Sequence, residues 1–224
     1  MSKPLVLYTA ATPNGHKVSI MLEELKAAYG NIDYDVEKIN LTTNVQKEPW
    51  FIAMNPNGRI PVLVDRSNPT AAQPNGFPVF ESAAILLYLV QKYDKEGKFK
   101  FKSGSDEESQ MLQWIFFAHG GVGPMQGQSH HFRHYAPEDV PYGKKRYGDE
   151  VVRLYGVLDI GLRGRDYLVG PGTGKLSVAD VNVMPWVRYH KHAGVETLDA
   201  FPNLKAWLDR LLEREAVKAG IAVP

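Results

Sequence analysis

The chain has 224 residues, of which 44% are hydrophobic and 23% charged; that balance excludes a disordered or fibrous chain and is ample for a real core in one large domain or two small ones. Lys and Arg number 26 against 25 Asp and Glu, a net charge of +1 without the basic excess of a nucleic-acid binder. Cysteine is absent, which excludes a disulfide framework, a thiolate metal site and a cysteine nucleophile of the protein's own.

The opening Met1-Ser2-Lys3-Pro4 lacks the apolar run of a secretory leader. No stretch approaches the roughly 18 apolar residues of a membrane span. The expectation is a soluble cytoplasmic protein that binds neither membrane nor nucleic acid.

Leu5-Val6-Leu7-Tyr8 has strand character and ends at the polar turn of residues 9–15. Val18, Met21, Leu22 and Leu25 then recur at i, i+3, i+4 and i+7, which predicts one helix face. Residues 34–39 alternate as a second strand, and a poorly patterned stretch with Pro49 and Trp50 follows. Asn55-Pro56-Asn57-Gly58 is turn material. Ile60-Pro61-Val62-Leu63-Val64-Asp65 is a strand with proline at its mouth, where a missing N–H does no harm. A polar loop at 67–76 leads to the strand Phe77-Pro78-Val79-Phe80, and Leu86, Leu89, Val90 and Tyr93 mark a helix.

Residues 1–94 thus read β-α-β-(irregular)-β-β-α, with a Lys- and Gly-containing linker at 95–105. Beyond it the pattern is helical, with faces at Leu112, Ile115, Phe116 and His119, at Val151, Leu154, Tyr155 and Leu158, and at Leu204, Trp207, Leu208 and Leu211. Tyr167-Leu168-Val169 is the one short strand-like run. Strands first and helices second predict two domains, 1–94 and 106–224. Ser177 and Asp180 have the spacing of a capping box; a Ser/Asp catalytic pair is the other reading.

Three places carry chemistry. Thr12-Pro13-Asn14-Gly15 sits at a strand-to-helix turn, where a helix N-terminus stabilises an anion and Thr12 and Asn14 can add donors; Asn14 as a simple helix cap is the alternative. A cis bond at Ile60-Pro61 would turn the Ile60 N–H and C=O outward toward an extended peptide, whereas a trans bond would make it an ordinary strand edge. At Phe80-Glu81-Ser82-Ala83 the serine is placed to cap a helix while Glu81 meets a cation, or to do nothing but cap.

Their order, ahead of an all-helical half, resembles the glutathione transferase family. Residues 80–89 (Phe-Glu-Ser-Ala-Ala-Ile-Leu-Leu-Tyr-Leu) and Leu176-Ser177-Val178-Ala179-Asp180 carry the resemblance. Residues 11–18, 55–61 and the long motif Gly123-Pro124-Met125-Gln126-Gly127-Gln128-Ser129-His130-His131-Phe132 narrow it. They resemble the fungal nitrogen-regulator (prion protein) relatives and the bacterial Nu class, here without the regulator's long N-terminal extension.

The resemblance implies a thioredoxin-like first domain (β-α-β-α-β-β-α), an all-α second domain, glutathione as co-substrate, no metal, and a homodimer. It implies that Ile60 and a cis Pro61 pair with the cysteinyl backbone, that Glu81 and Ser82 hold the γ-glutamyl end, and that Gln46 meets the glycyl end. Asn14, with Thr12 second, would donate to the glutathione thiolate; an amide does not titrate near neutrality and cannot be a base. Tyr8 is the rival donor, and Arg146 either reaches the ligand or is a solvated helix charge.

The implied activity is conjugation of electrophiles, glutathione-dependent disulfide reduction or peroxide reduction, with a non-catalytic conjugate carrier as the alternative. Without cysteine, any thiol–disulfide work must use glutathione sulfurs. His130 with His134, at i and i+4, could chelate a metal; otherwise these histidines, with His131, line a cleft or the surface.

Overall fold

The structure is a computed structural model that describes residues 3–30, 32–69, 71 and 73–224. Met1 and Ser2 of the opening, and Thr70 and Ala72 of the polar loop, lie outside the described residues. The chain divides into two compact units, residues 1–96 with 214–224, and residues 97–213.

The first unit is built on a four-stranded sheet in the order β2-β1-β3-β4. β1 (Leu5–Thr9) runs parallel to β2 (Tyr34–Lys38) and antiparallel to β3 (Val62–Asp65), which is antiparallel to β4 (Phe77–Phe80). A parallel pair cannot be joined by a hairpin, and α1 (Pro13–Tyr29) makes the crossover from β1 to β2. α1 packs on α3 (Ser82–Tyr93). The expected face of α1, Val18, Met21, Leu22 and Leu25, is wholly buried; each such side chain stabilises the fold by about 1.5–3 kcal/mol.

Successive strand side chains point to opposite faces. Val6, Val62 and Val64 therefore form a second cluster with Ile39 and Phe51, flanked by Tyr8, Met54 and Ile60. The poorly patterned stretch that supplies Phe51 is two 3-10 turns (Leu41–Thr43, Val45–Lys47) and a single helical turn, α2 (Pro49–Ile52).

The last helix, α9 (Glu215–Ala222), packs on α1 in the first unit and leaves the helices that precede it in sequence. Two contacts explain this. Arg214 grips the buried Glu24 carboxylate with two bonds of 2.6 and 2.7 Å. Ser19 Oγ donates to the Gly220 carbonyl at 2.7 Å, an approach so close that a Cβ on Gly220 would lie 2.5 Å from Ile20 Cα.

The second unit holds α4 (Asp106–Phe117), α5 (Gly123–His130), α6 (Pro141–Gly161), α7 (Val178–Arg188) and α8 (Pro202–Leu212). Ser105 caps α4, its Oγ accepting from Glu108 N–H, and three acids in the first turn suit the helix dipole. Two π-helical turns, Ala118–Val122 and His131–Tyr135, flank α5. The faces expected on α6 and α8 are buried as read.

Two expectations are corrected. On α4 and the π-helical turn that follows it the buried stripe is Met111, Ile115, Ala118 and Val122, while Phe116 is 69% exposed. Both stripes fit a helical period, and packing against α7 selects the first, with Asn182 Nδ2 donating to the Ile115 carbonyl. Tyr167-Leu168-Val169 is not a strand. Its backbone is used one group at a time: Tyr167 N–H on Thr173 O, Leu168 N–H on Asp180 Oδ1, and Val169 O accepting from Lys175 N–H. Gly170, Gly172 and Gly174 at positive φ fold the segment back on itself.

Candidate functional site

Strand register brings the three sequence candidates to one end of the sheet. Tyr8, Val62 and Phe80 are opposite one another across β1, β3 and β4. One step further lie the exit of β1 toward Thr12, the Ile60-Pro61 entrance of β3, and Glu81 at the exit of β4. The stretch after β2, which carries Gln46, leaves from the same end, because Thr9 pairs with Lys38.

At the first turn, Thr12 is the cap of α1: its Oγ1 accepts from Gly15 N–H at 3.1 Å. A hydroxyl that accepts in this way keeps its own proton to donate. Pro13 takes the first helical position, where its missing N–H costs nothing. Asn14, one residue inside the helix, is thereby relieved of capping and is partly exposed. Gly15 is required by proximity, since a Cβ there would lie 2.3 Å from the Ala10 carbonyl oxygen.

The Ile60-Pro61 bond is cis. The turn ahead of it is held by a residue the sequence reading passed over as turn material, the buried Asn55. Its Nδ2 donates to Arg59 O at 2.7 Å, and its Oδ1 accepts from Asn57 N–H at 3.0 Å. Gly58, at φ 61°, lets this turn close on the 3-10 segment; a Cβ there would meet Gln46 O at 2.9 Å and Ile52 Cδ1 at 2.8 Å. Gln46 thus lies against the cis-proline turn. Its Nε2 bonds Asn44 Oδ1 at 3.3 Å, and its buried Oε1 has no hydrogen-bond partner among the described residues.

At the third turn Ser82 does not cap. The cap position belongs to Glu81, which has no side-chain capping bond and stands at φ 68°, ψ 115°. A non-glycine residue there is strained, and such strain collects at functional sites. Glu81 is exposed, and the N-terminus of α3, with Ser82 in its first position, receives no side-chain capping bond from it. Behind it lies a residue that sequence reasoning missed. Lys17 of α1 is buried, 1% exposed, with Nζ 3.4 Å from Ser82 Oγ. Burial pulls its pKa down to about 7, with Glu81 opposing. The signal was its helical phase, four residues before Met21 on the inward side of α1.

Tyr8 lies on the other face of the sheet from the α1 contact made by Thr9. Its ring packs against Trp50 and Phe51, and burial raises its hydroxyl pKa. A groove of about 750 Å³ on this face is lined by Val6, Tyr8, Trp50, Met54 and Arg66 among others, and of the site candidates it includes Tyr8 but not Thr12, Asn14, Gln46, Ile60, Pro61, Glu81 or Ser82.

Arg146 belongs to the second unit. It is exposed on α6, in a groove of about 550 Å³ with Met125, Tyr142, Lys145 and Arg153. His130 and His134 meet His192: their ring centroids lie 5.8 and 5.1 Å from its ring, and His134 Nε2 is 2.8 Å from His192 O. Among the described residues no group of three or more His, Asp or Glu is placed to hold a metal. Ser177 and Asp180 are both buried and form a capping box.

Two anion-favouring helix N-termini, an extended cis-proline edge between them and a carboxylate at one rim suit a short peptide that carries carboxylates and an ammonium group. Comparisons with known proteins agree. Family profiles described as "Glutathione S-transferase, N-terminal domain" and "Glutathione S-transferase, C-terminal domain" match residues 3–91 and 136–215. The chain is 40% identical to the disulfide-bond oxidoreductase YfcG of Escherichia coli, covering 94% of this chain and 91% of that one.

Among solved structures it is similar to a glutathione transferase homologue from Lodderomyces elongisporus with two GSH per subunit (TM-score 0.91, 39% identity, 99% of each chain covered). It is also similar to the glutathione transferase URE2P6 from Phanerochaete chrysosporium in complex with oxidised glutathione (TM-score 0.87, 38% identity, 97% of this chain and 94% of that one covered). Bacterial YfcG and the URE2-type fungal proteins stand on the two sides of the branch that the sequence motifs resemble. With a thioredoxin-like sheet unit, a helical unit and matches along nearly its whole length, the chain belongs to the glutathione transferase family.

Proposed function

We propose that this protein is a glutathione-dependent enzyme that binds the tripeptide at the end of the sheet and holds its sulfur as a thiolate. The observation that carries the reading is the convergence at one sheet end of the Thr12-capped helix start, the cis Ile60-Pro61 edge and the uncapped start of α3 at Glu81 and Ser82. The cysteinyl backbone pairs with Ile60 ahead of Pro61. The γ-glutamyl ammonium faces Glu81 and its carboxylate faces Ser82 and the α3 N-terminus. The glycyl end approaches Gln46. Asn14, freed from capping, and the remaining Thr12 proton donate to the sulfur; hydrogen-bond donors and a helix N-terminus lower a thiol pKa.

With an electrophile, the thiolate displaces the leaving group and a thioether remains. With a disulfide, the first thiolate forms a mixed disulfide and expels one substrate thiolate. A second glutathione then releases the other substrate thiolate and leaves as glutathione disulfide. With a peroxide, the thiolate attacks one peroxide oxygen, the O–O bond breaks and an alcohol leaves after taking up a proton, so that the sulfur becomes a sulfenic acid; the thiol of a second glutathione then displaces water from it to give glutathione disulfide. The absence of cysteine assigns both sulfurs of the disulfide product to glutathione. That relatives bear the names of a disulfide-bond oxidoreductase and of glutathione transferases supports this reading. A homodimer is assigned to the working state and the cytoplasm to the location. No helix among the described residues is long and apolar enough to cross a membrane.

The test is turnover of glutathione with an aryl halide and with a bulky disulfide, in the wild type and in Asn14→Ala. The expected loss in Asn14→Ala is about ten- to hundredfold in rate at saturating glutathione, the size of one to two pKa units of thiol activation at about 1.4 kcal/mol each. No wild-type turnover and no glutathione binding ends the proposal. Glutathione binding without turnover assigns the chain to a carrier instead, and wild-type turnover with an unchanged Asn14→Ala rate takes the thiolate away from Asn14.

A further inference from the structure

The ion pairs elsewhere in the first unit are closed. Glu24 is met by Arg214 in two bonds. The buried Asp65 is met by Lys92, Ser67, Tyr88 and Tyr93. Lys17 differs. An ammonium has three N–H donors, and Ser82 Oγ, at a long 3.4 Å, is the one hydrogen-bond acceptor that Lys17 reaches among the described residues. A cation buried with so little company is costly. Its position is not random: it stands behind the first residue of α3, whose N-terminus has no side-chain cap.

We infer that Lys17 is a positioning residue of the glutathione site, holding Ser82 from within so that the serine proton and the α3 N-terminus face the γ-glutamyl carboxylate. The inference rests on the glutathione reading above and extends it to a residue that does not touch the ligand. A serine hydroxyl has one proton and two lone pairs. With Lys17 donating to one lone pair, the proton is directed away from it, toward the open side of the helix start. The carboxylate that accepts this proton supplies the counter-charge that Lys17 lacks.

The charged surroundings make the coupling readable. Glu81, before α3, is the charge that acts on Lys17, and burial outweighs it. On the other elements packed around α1, Arg214 ahead of α9 is engaged by Glu24, and Asp65 of β3 is held by Lys92 near the far end of α3. Near neutrality the empty site therefore leaves Lys17 only partly protonated. An arriving carboxylate favours the charged form. Ligand binding then takes up a proton, and affinity weakens as pH rises above about 7.

The experiment is titration calorimetry of the whole protein with S-methylglutathione, whose sulfur cannot ionise, and with its analogue bearing an amide at the glutamyl α-carboxylate. Measurement near pH 7.5 in two buffers of different ionisation heat gives the protons exchanged. The wild type is expected to take up a sizeable fraction of a proton with S-methylglutathione and none with the amide. Lys17→Met is expected to bind S-methylglutathione about tenfold more weakly (~1.4 kcal/mol), to bind the amide nearly as the wild type does, and to lose the proton uptake.

Equal weakening for both ligands, or no uptake by the wild type, overturns the inference while leaving the glutathione reading intact. Wild-type protein that binds neither ligand overturns both. The wild-type uptake needs no variant, so a Lys17→Met protein that fails to fold does not rescue the idea.

Discussion

Asp180 distinguishes a structural carboxylate from a catalytic one by magnitude. Its side chain is wholly buried. Oδ1 accepts from Leu168 N–H and Trp207 Nε1–H, both at 2.9 Å. Oδ2 accepts from Ser177 N–H at 3.0 Å and from the Ser177 hydroxyl at 3.1 Å. Asp180→Ala leaves three N–H donors buried and unpaired, since only the serine hydroxyl can rotate to a new acceptor. Each orphaned donor costs about 1–3 kcal/mol, so the expected loss is about 3–9 kcal/mol, against a total stability of about 5–15 kcal/mol for a typical domain.

The assay is urea denaturation followed by circular dichroism, with glutathione turnover scaled to the folded fraction. Expected is a large fall in midpoint with near-normal turnover per folded molecule. A loss below about 1 kcal/mol refutes the hydrogen-bond reasoning. A stable variant without turnover restores the Ser/Asp catalytic pair.

Two further outcomes follow from the same geometry. Gly220→Val places side-chain atoms against the Ile20 backbone, where even a Cβ lies 2.5 Å from Cα; α9 is expected to detach, which limited proteolysis after Arg214 reads as early cleavage, and uncut α9 contradicts the packing. Burial, with the nearby His192 and His134 adding to it, lowers the His130 pKa to about 4. A histidine depressed below its unfolded value stabilises the fold fully above about pH 6.5 and progressively less as pH falls toward 4. The denaturation midpoint of His130→Gln should therefore fall less than that of the wild type between pH 6.5 and 4, and parallel curves refute the assignment.

What the sequence made legible, and what it hid, divides along a physical line. Hydrophobic period identified the inward faces of α1, α6 and α8, because those helices bury one stripe. It misplaced the face of α4, since Phe116 and Leu112 keep the same period as Met111 and Ile115, and only the neighbouring α7 selects between them. It could not send α9 back to α1, because the pair Arg214 and Glu24 joins residues 190 positions apart. At the site, the residue types at Thr12, Asn14, Ile60, Pro61, Glu81 and Ser82 were readable from local turn chemistry, and strand register then carried them to one sheet end.

Their division of labour was not readable, because capping is a contest between neighbours. Thr12, and not Asn14, caps α1, while Glu81, at positive φ, takes the cap position of α3 without a side-chain capping bond and puts Ser82 inside the helix. Lys17 was hidden for the opposite reason. A lysine between a polar turn and an apolar face reads as solvated, and nothing local says that Ser82, 65 residues away, stands over it. Buried charge is where tertiary context overrides pattern most completely, so the sequence names the groups gathered at the sheet end and leaves to the fold the ones that stand behind them.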